Sequence, residues 1–300
     1  MNPPPPLIAV DWGSTHFRAK LVVEGKVVAS TASPDGIRHL DGRDCDAILA
    51  LHCAAWKHTH PDARVLMSGM IGAREGWVEA PYVSAPCSVA DLAAAMVAVP
   101  CDSFGEVLIV PGVRCDDPDN HTTDVMRGEE TQIAGLLGSL PHEGAVVCLP
   151  GTHSKWVICQ DGAIRGFRTW LTGEAYERLT HGSLISGDGT PADPGSEAFA
   201  RGLEASSLPG GLLHQLFLGR THMLADRLAP SEVRSFVSGL LIGHELREAL
   251  DYADDLPVHL VGDSPAAFAT GTALELLGIP HVQVLEDMHL QGMVSVIGNR

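Results

Sequence analysis

The pattern of apolar and polar residues predicts the same strand–turn–strand unit twice. In the first copy, the apolar run at residues 8–10 predicts a buried strand. Alternating residues at 17–23 predict a half-buried strand after a small polar turn. In the second copy, the apolar run at 145–149 and the strand-like segment 155–159 flank a similar turn. Two such hairpins, each opening one half of the chain, predict duplicated domains that face each other across a cleft.

The rest of the chain alternates between helical and strand patterns. Apolar residues at spacings of three and four predict helices at 45–56, 89–97, 128–140, 173–180, 197–205, 212–218, 231–249 and 265–277. Short apolar runs predict further strands at 64–67, 107–110, 258–261 and 281–284, which is the last predicted element. This order predicts an α/β protein in which each domain is a mixed sheet with helices on its faces.

Two segments interrupt this order. Residues 69–87 are irregular and rich in glycine and proline, which is typical of a binding loop. Residues 115–124 are polar and predict a solvated connection between the domains. The predicted domains are residues 1–124, with the binding loop as an insertion, and residues 125–300.

The composition restricts the class of protein. The chain has 300 residues, 45% of them hydrophobic, which is enough for two domains with separate cores. A net charge of -17 and the lack of a basic run argue against nucleic acid as a partner. No apolar run is long enough to cross a bilayer, so no membrane partner is expected. Seven cysteines without a CxxC pair favour reduced thiols in the cytoplasm.

Several common catalytic signatures do not occur. The chain has no GxxxxGK[ST] loop, no GxGxxG fingerprint, no GxSxG elbow and no HExxH pair. These patterns are typical of Walker ATPases, dinucleotide-binding domains, α/β hydrolases and zinc proteases, so the chain is predicted to belong to none of these classes.

The two hairpin turns are suited to phosphate. Glycine lets the backbone approach a ligand, and exposed N–H groups and hydroxyls can bind phosphate oxygens. The candidate residues are Gly13, Ser14 and Thr15 in the first turn and Gly151, Thr152 and His153 in the second. An ordinary hairpin uses the same residue types, so it is the repetition that indicates ATP. Asp11 ends the first strand, where a carboxylate can hold a hydrated Mg²⁺.

Other polar residues are candidates for nucleotide and acceptor binding. Gly262, Asp263 and Ser264 lie between a predicted strand and helix, where backbone amides suit a nucleotide. Arg127 and Arg168 are candidates to bind an anionic substrate bidentately, although either can equally be a structural ion-pair partner.

A pair of acids begins the predicted helix at 128–140. Glu129 or Glu130 could accept a hydroxyl proton during phosphoryl transfer. A solvated helix start has the same composition, and spacing alone does not choose between the two acids.

These motifs together resemble a known family. Asp11-Trp12-Gly13-Ser14-Thr15, Gly151-Thr152-His153-Ser154 and Gly262-Asp263-Ser264 resemble the phosphate-1, phosphate-2 and adenosine motifs of the actin, heat-shock ATPase and sugar-kinase superfamily. More closely, the segments 67–72 with 76–77, 125–132, and 167–169 with 172–174 resemble the 2-dehydro-3-deoxygalactonokinase family. The resemblance extends over nearly the whole chain. The resemblance implies two ribonuclease-H-like domains of the actin type. It also implies phosphorylation of 2-dehydro-3-deoxy-D-galactonate at its 6-hydroxyl by ATP and Mg²⁺, in galactonate breakdown.

The resemblance also implies roles for individual residues. Asp11 would position Mg²⁺, both turns would bind the β- and γ-phosphates, and Gly262 with its neighbours would contact adenosine. The stretch 128–132 resembles the Gly-Asp-Gln-Gln motif of related kinases, which places the catalytic base at Glu129 and leaves Glu130 as the alternative. The acceptor pocket would include Met70, Gly72 and Trp77, with Arg127 or Arg168 at the carboxylate.

Two other functions stay open at this point. The same fold could phosphorylate another sugar acid or a neutral sugar, and residues 69–87 would then differ in specificity. An ATP-binding switch without catalysis is more remote, because carboxylates stand at both positions where phosphoryl transfer needs them. The expected partner is a small sugar acid, and a homodimer is compatible with the sequence.

Overall fold

The computed structural model describes residues 5–40, 42–117, 121–285 and 287–300. The chain divides into two compact units. The first unit contains residues up to 140, residues 162–165 and residues from 287 onward. The second unit contains residues 141–161 and 166–286. The predicted boundary between residues 124 and 125 stays a prediction, since compact packing does not by itself define the repeated domains.

The first unit is built on a six-stranded mixed sheet with strand order β3-β2-β1-β4-β8-β7 and a three-stranded sheet with order β10-β9-β5. Its strands are β1 (Leu7–Trp12), β2 (Phe17–Val23), β3 (Lys26–Ser33), β4 (Arg64–Ser68), β5 (Tyr82–Ser84), β6 (Cys87–Ser88), β7 (Val97–Cys101), β8 (Gly105–Ile109), β9 (Gly112–Asp117) and β10 (Thr122–Met126). Its helices are α1 (Cys45–Thr59), α2 (Val89–Ala94), α3 (Glu129–Leu136) and α9 (Met288–Gly298).

The second unit has a mixed sheet with strand order β15-β14-β11-β12-β13. Its strands are β11 (Ala145–Leu149), β12 (Ser154–Gln160), β13 (Ala163–Trp170), β14 (Val258–Val261) and β15 (His281–Val284). Its helices are α4 (Thr172–Thr180), α5 (Glu197–Ala205), α6 (Gly211–Leu224), α7 (Val233–Ala253) and α8 (Pro265–Leu276). The first residues of β13 pair with β6 and count with the first unit.

The two units repeat one arrangement of strands. In the first, β1 pairs antiparallel with β2 and parallel with β4. In the second, β11 pairs antiparallel with β12 and parallel with β14. Each hairpin turn therefore lies at the carboxyl end of a central strand, where open α/β sheets bind ligands. The predicted fold class, two duplicated mixed sheets with helices, is confirmed.

Each unit has its own core. Fully buried side chains of the first unit include Ile8, Phe17, Leu49 and Met67. In the second unit, Trp156, Phe199 and Leu246 belong to a comparable cluster. Some of the helices begin where a short polar residue accepts a backbone N–H group, as Asp44 does for α1 and Ser264 for α8.

Several elements differ from the sequence prediction. The helix predicted at 128–140 ends at Leu136, and the segment 69–87 contains the short strand β5 and the first residue of β6. The polar segment 115–124 is not a solvated connection, because β9 and β10 form an antiparallel ladder from it; residues 118–120 lie outside the described residues. The predicted helix at 89–97 ends at Ala94, and Val97 begins β7. The helix α9 was not predicted.

The unpredicted helix α9 packs closely on α3. A Cβ on Gly292 would overlap the carbonyl oxygen of Thr131, and one on Gly135 would overlap that of Met288. Glycine at both positions lets the two helix backbones approach closely. Tertiary contact therefore stabilises a helix whose own sequence, with two glycines and β-branched residues, has a low helix propensity.

Candidate functional site

The carboxyl ends of β1 and β4 bring polar groups together in the first unit. Asp11 lies near the end of β1, and Gly69 follows β4 with a φ of 91°. A Cβ on Gly69 would lie 2.9 Å from a backbone oxygen of Trp12, so this position excludes a side chain. A Cβ on Gly128 would lie 3.4 Å from the Cα of Gly69, which puts the start of α3 against the end of β4. Glu129 is the first residue of α3.

The first hairpin turn is supported by the chain that follows β3. Backbone N–H groups of residues 37–38 donate to the carbonyl oxygens of Gly13 and Ser14, each at 3.0 Å. The Gly13 N–H donates within the turn to His16 O at 2.9 Å, and the Thr15 hydroxyl bonds the His16 ring at 2.9 Å. Asp11 beside the turn is paired with Arg18 at 3.1 Å.

Arg127 has donors without acceptors. Its Nη2 donates to the Ala80 carbonyl oxygen at 2.8 Å, and its guanidinium carbon lies 4.3 Å from the Tyr82 ring centroid. Its Nε and Nη1 are buried without a hydrogen-bond partner among the described residues. Buried unpaired donors on a charged group are costly, so these nitrogens are suited to an anionic or carbonyl ligand.

The predicted acceptor residues differ in their relation to Arg127. A Cβ on Gly72 would lie 3.1 Å from Nη1 of Arg127, so glycine makes room for the guanidinium. Met70 begins the short helical turn that contains Gly72. Trp77 is half-buried and packs against the core of the first unit. Arg168 lies in the second unit, with its guanidinium carbon 4.4 Å from the Tyr252 ring centroid.

The two acids at the start of α3 have different surroundings. Glu130 is fully buried, and its Oε2 accepts the Gly128 N–H at 2.6 Å while its Oε1 accepts the Thr131 hydroxyl at 3.1 Å. Glu129 is half-buried, and its Oε2 accepts the Arg127 N–H at 3.2 Å. Glu130 therefore ties down the loop that holds Arg127 and Glu129, and Glu129 is the acid that an acceptor could reach.

Burial also changes the proton affinity of Glu130. Burial and, to a smaller extent, the negative charge of Glu129 raise the pKa of Glu130 to about 8, against the opposing hydrogen bond from Gly128. The folded protein therefore holds a proton at neutral pH that the unfolded chain releases above its ordinary pKa near 4.5.

This proton predicts a pH-dependent stability. The contribution of protonated Glu130 to the free energy of unfolding is fully present below its ordinary pKa of 4.5. This contribution is lost as the pH rises through about 8. We expect Glu130→Gln to remove this loss, because the amide stays neutral, at roughly 1.4 kcal/mol for each pKa unit. Urea unfolding of both proteins at pH 5 and pH 9 measures it. Parallel losses in the two proteins would show that Glu130 is ionised in the folded state.

The second hairpin turn is held by the start of α4. A Cβ on Gly173 would overlap the carbonyl oxygen of Gly151. The Glu174 N–H donates to Thr152 O at 2.9 Å, and its carboxylate bonds His153 Nε2 at 2.8 Å. Three contacts thus fix the predicted phosphate-2 residues against one helix end.

A cavity of about 670 Å³ adjoins this turn within the second unit. Gly151 and Asp263 are both in its wall. Gly262 has a φ of 99°, and Ser264 accepts the Ala267 N–H at 3.1 Å to begin α8. One predicted phosphate-2 residue, Gly151, and one predicted adenosine residue, Asp263, therefore line the same cavity, which is large enough for a nucleoside.

Sequence reasoning missed two residues of these sites. Tyr82 was placed in the binding loop without a role, and it lies under Arg127. Glu245 is in the cavity wall and only 2% exposed. Its position one turn after Leu241, on an apolar helix face, was a signal that could have identified it.

Comparison with known proteins identifies the family. The model of the 2-keto-3-deoxygalactonokinase family matches residues 11–296. The 2-dehydro-3-deoxygalactonokinase of Escherichia coli is 33% identical over 293 residues, 97% of each chain. A Rhizobium meliloti protein assigned the same activity is 36% identical over 280 residues, covering 90% of this chain and 89% of that one. The chain belongs to the 2-keto-3-deoxygalactonokinase family.

Solved structures agree with this membership. A Sinorhizobium meliloti protein assigned to the 2-keto-3-deoxygalactonokinases has a crystal structure with a TM-score of 0.90, 33% identity and 97% coverage of both chains. A Porphyromonas gingivalis protein assigned as an N-acetylglucosamine kinase has a TM-score of 0.51 at 20% identity, over 98% of this chain and 99% of that one. The second likeness concerns the fold alone. The predicted family and the predicted class, a carbohydrate kinase, are both confirmed.

Proposed function

We propose that this protein transfers the γ-phosphoryl group of ATP to the 6-hydroxyl of 2-dehydro-3-deoxy-D-galactonate, as a step of galactonate breakdown. Membership of the 2-keto-3-deoxygalactonokinase family supports the reaction. The observation that carries the acceptor class is the guanidinium of Arg127, whose Nε and Nη1 are buried without a partner among the described residues. A sugar acid supplies the anion that these donors lack, and a neutral sugar does not.

The first unit would supply the groups that act on the acceptor. Glu129 is the proposed base, because its carboxylate is half-buried and the neighbouring Glu130 is fully enclosed. It would accept the proton of the attacking hydroxyl. Arg127 would hold the carboxylate, with Met70, Gly72 and Trp77 as further pocket residues. Because the Arg127 backbone N–H donates to the Glu129 carboxylate at 3.2 Å, the proposed anchor and the proposed base are held next to each other.

In the second unit, the nucleotide would be held by the hairpin turn and by the adjoining cavity. Gly13, Ser14 and Thr15 and the matching Gly151, Thr152 and His153 would bind phosphate oxygens. The wall around Asp263 would bind the nucleoside, with Gly262 and Ser264 shaping the loop. Arg168 would have a structural role, since its guanidinium already lies over Tyr252.

Asp11 fits a Mg²⁺ ion that is held mainly by water and phosphate. No cluster of three or more potential ligands occurs among the residues that the structure describes. One carboxylate is nevertheless enough, since Mg²⁺ keeps several waters and binds substrate phosphates. When bound, the ion would neutralise charge that develops on the phosphate oxygens.

Location and assembly are separate questions. None of the helices in the described residues is long and apolar enough to cross a membrane. Each of the seven cysteines is a free thiol. The cytoplasmic location and a homodimer stay predictions, and light scattering of the purified protein would measure the assembly.

Coupled ADP release with MgATP tests the proposal. The acceptors are 2-dehydro-3-deoxygalactonate, its gluconate epimer, galactonate and galactose. We expect the highest kcat/KM with the first compound and none with galactose. Equal turnover of galactose would contradict recognition of an acid, and preference for the epimer or galactonate would reassign the substrate. ATP binding without turnover of any of these compounds would contradict the substrate assignment and leave a different acceptor or a non-catalytic switch.

A further inference from the structure

The cavity of the second unit contains a buried acid that the proposed reaction does not use. Glu245 of α7 lies in the cavity wall together with Ser154 and Thr172. Its Oε1 accepts the Trp156 indole N–H at 2.8 Å. Burial raises the pKa of Glu245, and hydrogen bonds from Thr172, Trp156 and Ser154 oppose that rise. An acid in so enclosed a place is costly unless several donors surround it.

The three donors around Glu245 come from the elements that form the second hairpin turn. Ser154 directly follows the turn and, like Trp156, belongs to β12. Thr172 is the first residue of α4. The next two residues of α4 contact the turn, Gly173 through Gly151 and Glu174 through the Thr152 carbonyl oxygen. The carboxylate thus connects both ends of the segment that supports the turn.

We propose that Glu245 is a positioning residue that holds the turn at Gly151–His153 in the geometry that binds ATP. The inference rests on the proposed function, in which this turn binds phosphate. A carboxylate suits the position because it only accepts hydrogen bonds and can serve all three donors at once. Fixing the turn before ATP arrives lowers the cost of ordering it in the complex.

The substitution Glu245→Gln tests this role with little change in shape. The amide oxygen can still accept the Trp156 indole N–H, but the NH₂ group replaces the oxygen to which a hydroxyl donated. That hydroxyl must rotate and accept instead, so its hydrogen bond to a charged acceptor is lost. We expect the KM for ATP to rise roughly ten- to a hundredfold, with the KM for the sugar acid unchanged. Thr172→Val, which removes only the hydroxyl at the start of α4, is expected to raise the KM for ATP in the same direction.

Trp156→Phe is the matched control. It removes the indole donor to Glu245 and leaves the Thr172 and Ser154 hydroxyls in place. It should lower the melting temperature while leaving the KM for ATP close to that of the wild type. If all three variants lose stability and none changes the KM for ATP, Glu245 is a structural residue of the core and the proposal is wrong. The same conclusion follows if Trp156→Phe raises that KM as much as Glu245→Gln does.

Calorimetric titration of ATP into the wild type and into Glu245→Gln distinguishes failure of this inference from failure of the proposed function. If the wild type binds no ATP, the proposed function fails and the inference fails with it. If the wild type and Glu245→Gln bind ATP equally, only the inference is overturned. Should Glu245→Gln not fold, Thr172→Val decides the question alone, since it is nearly isosteric and carries no charge change.

Discussion

Glu129→Gln should lower kcat by about two to four orders of magnitude, which is the usual contribution of a general base. Glutamine has nearly the same shape and cannot accept the hydroxyl proton. The hydrogen bond from the Arg127 N–H reaches Oε2, so glutamine is expected to keep the loop in place through its oxygen. Initial rates with saturating MgATP and sugar acid measure the loss, and calorimetric titration should find unchanged ATP binding.

The neighbouring acid provides the control for this experiment. Glu130 is enclosed and bonds the Gly128 N–H at 2.6 Å, so Glu130→Gln should retain most of the kcat. The reverse result, with Glu129→Gln active and Glu130→Gln inactive, would assign the base to Glu130. Similar large losses in both would indicate that the loop had moved, and the fold of each variant should then be compared with the wild type.

Arg127→Met should raise the KM for the sugar acid by roughly ten- to a hundredfold, because a hydrogen-bonded charge pair is lost. The KM for ATP should not change. Methionine fills the space of the stem and removes the buried nitrogens that lack partners. The same variant should therefore be as stable as the wild type or more so, which would be unusual for the loss of a structural arginine.

Two comparisons make the Arg127 experiment decisive. Arg168→Met removes the other candidate arginine, which already lies over Tyr252, and should leave the KM for the sugar acid nearly unchanged. Galactonate and the gluconate epimer also carry the carboxylate, so any turnover of them should be weakened by Arg127→Met to a similar extent. If Arg127→Met lowers the melting temperature and leaves every KM unchanged, the guanidinium supports the loop and does not bind substrate.

The hairpins were predictable because local pattern and tertiary position agree. An apolar run, a small polar turn and an alternating strand leave few alternatives, and the strand at 258–261 was found with its observed bounds. The prediction for the segment 115–124 was wrong because the acidic residues of β9 and β10 made it resemble a solvated connection. Their ladder is held by backbone hydrogen bonds, which composition does not reveal. The helix α9 was not predicted because its packing on α3 outweighs its own low helix propensity.

The site was predictable in residue type more than in geometry. Residue spacing offered two acids and two arginines, and only the family resemblance favoured one of them, Glu129. The difference between Glu129 and Glu130 is one of burial, and that between Arg127 and Arg168 is the presence of donors without acceptors. Both depend on neighbours that are distant in the chain, such as Ala80 for Arg127.

The helix α9 follows the second unit in sequence but packs in the first unit, which has a consequence for folding of the nascent chain. Domains generally fold in the order of their synthesis. Here the ribosome makes residues 141–286, most of the second unit, before it makes α9 and so completes the first unit. Throughout that interval the glycine-lined face of α3 lacks its partner, and Ser68 lacks the ring of His289, which bonds it at 2.6 Å in the finished fold. The unit that contains the proposed base is thus begun first and completed last. The helix α3, whose first residue is the proposed base, therefore gains this packing partner only after the second unit has been synthesised.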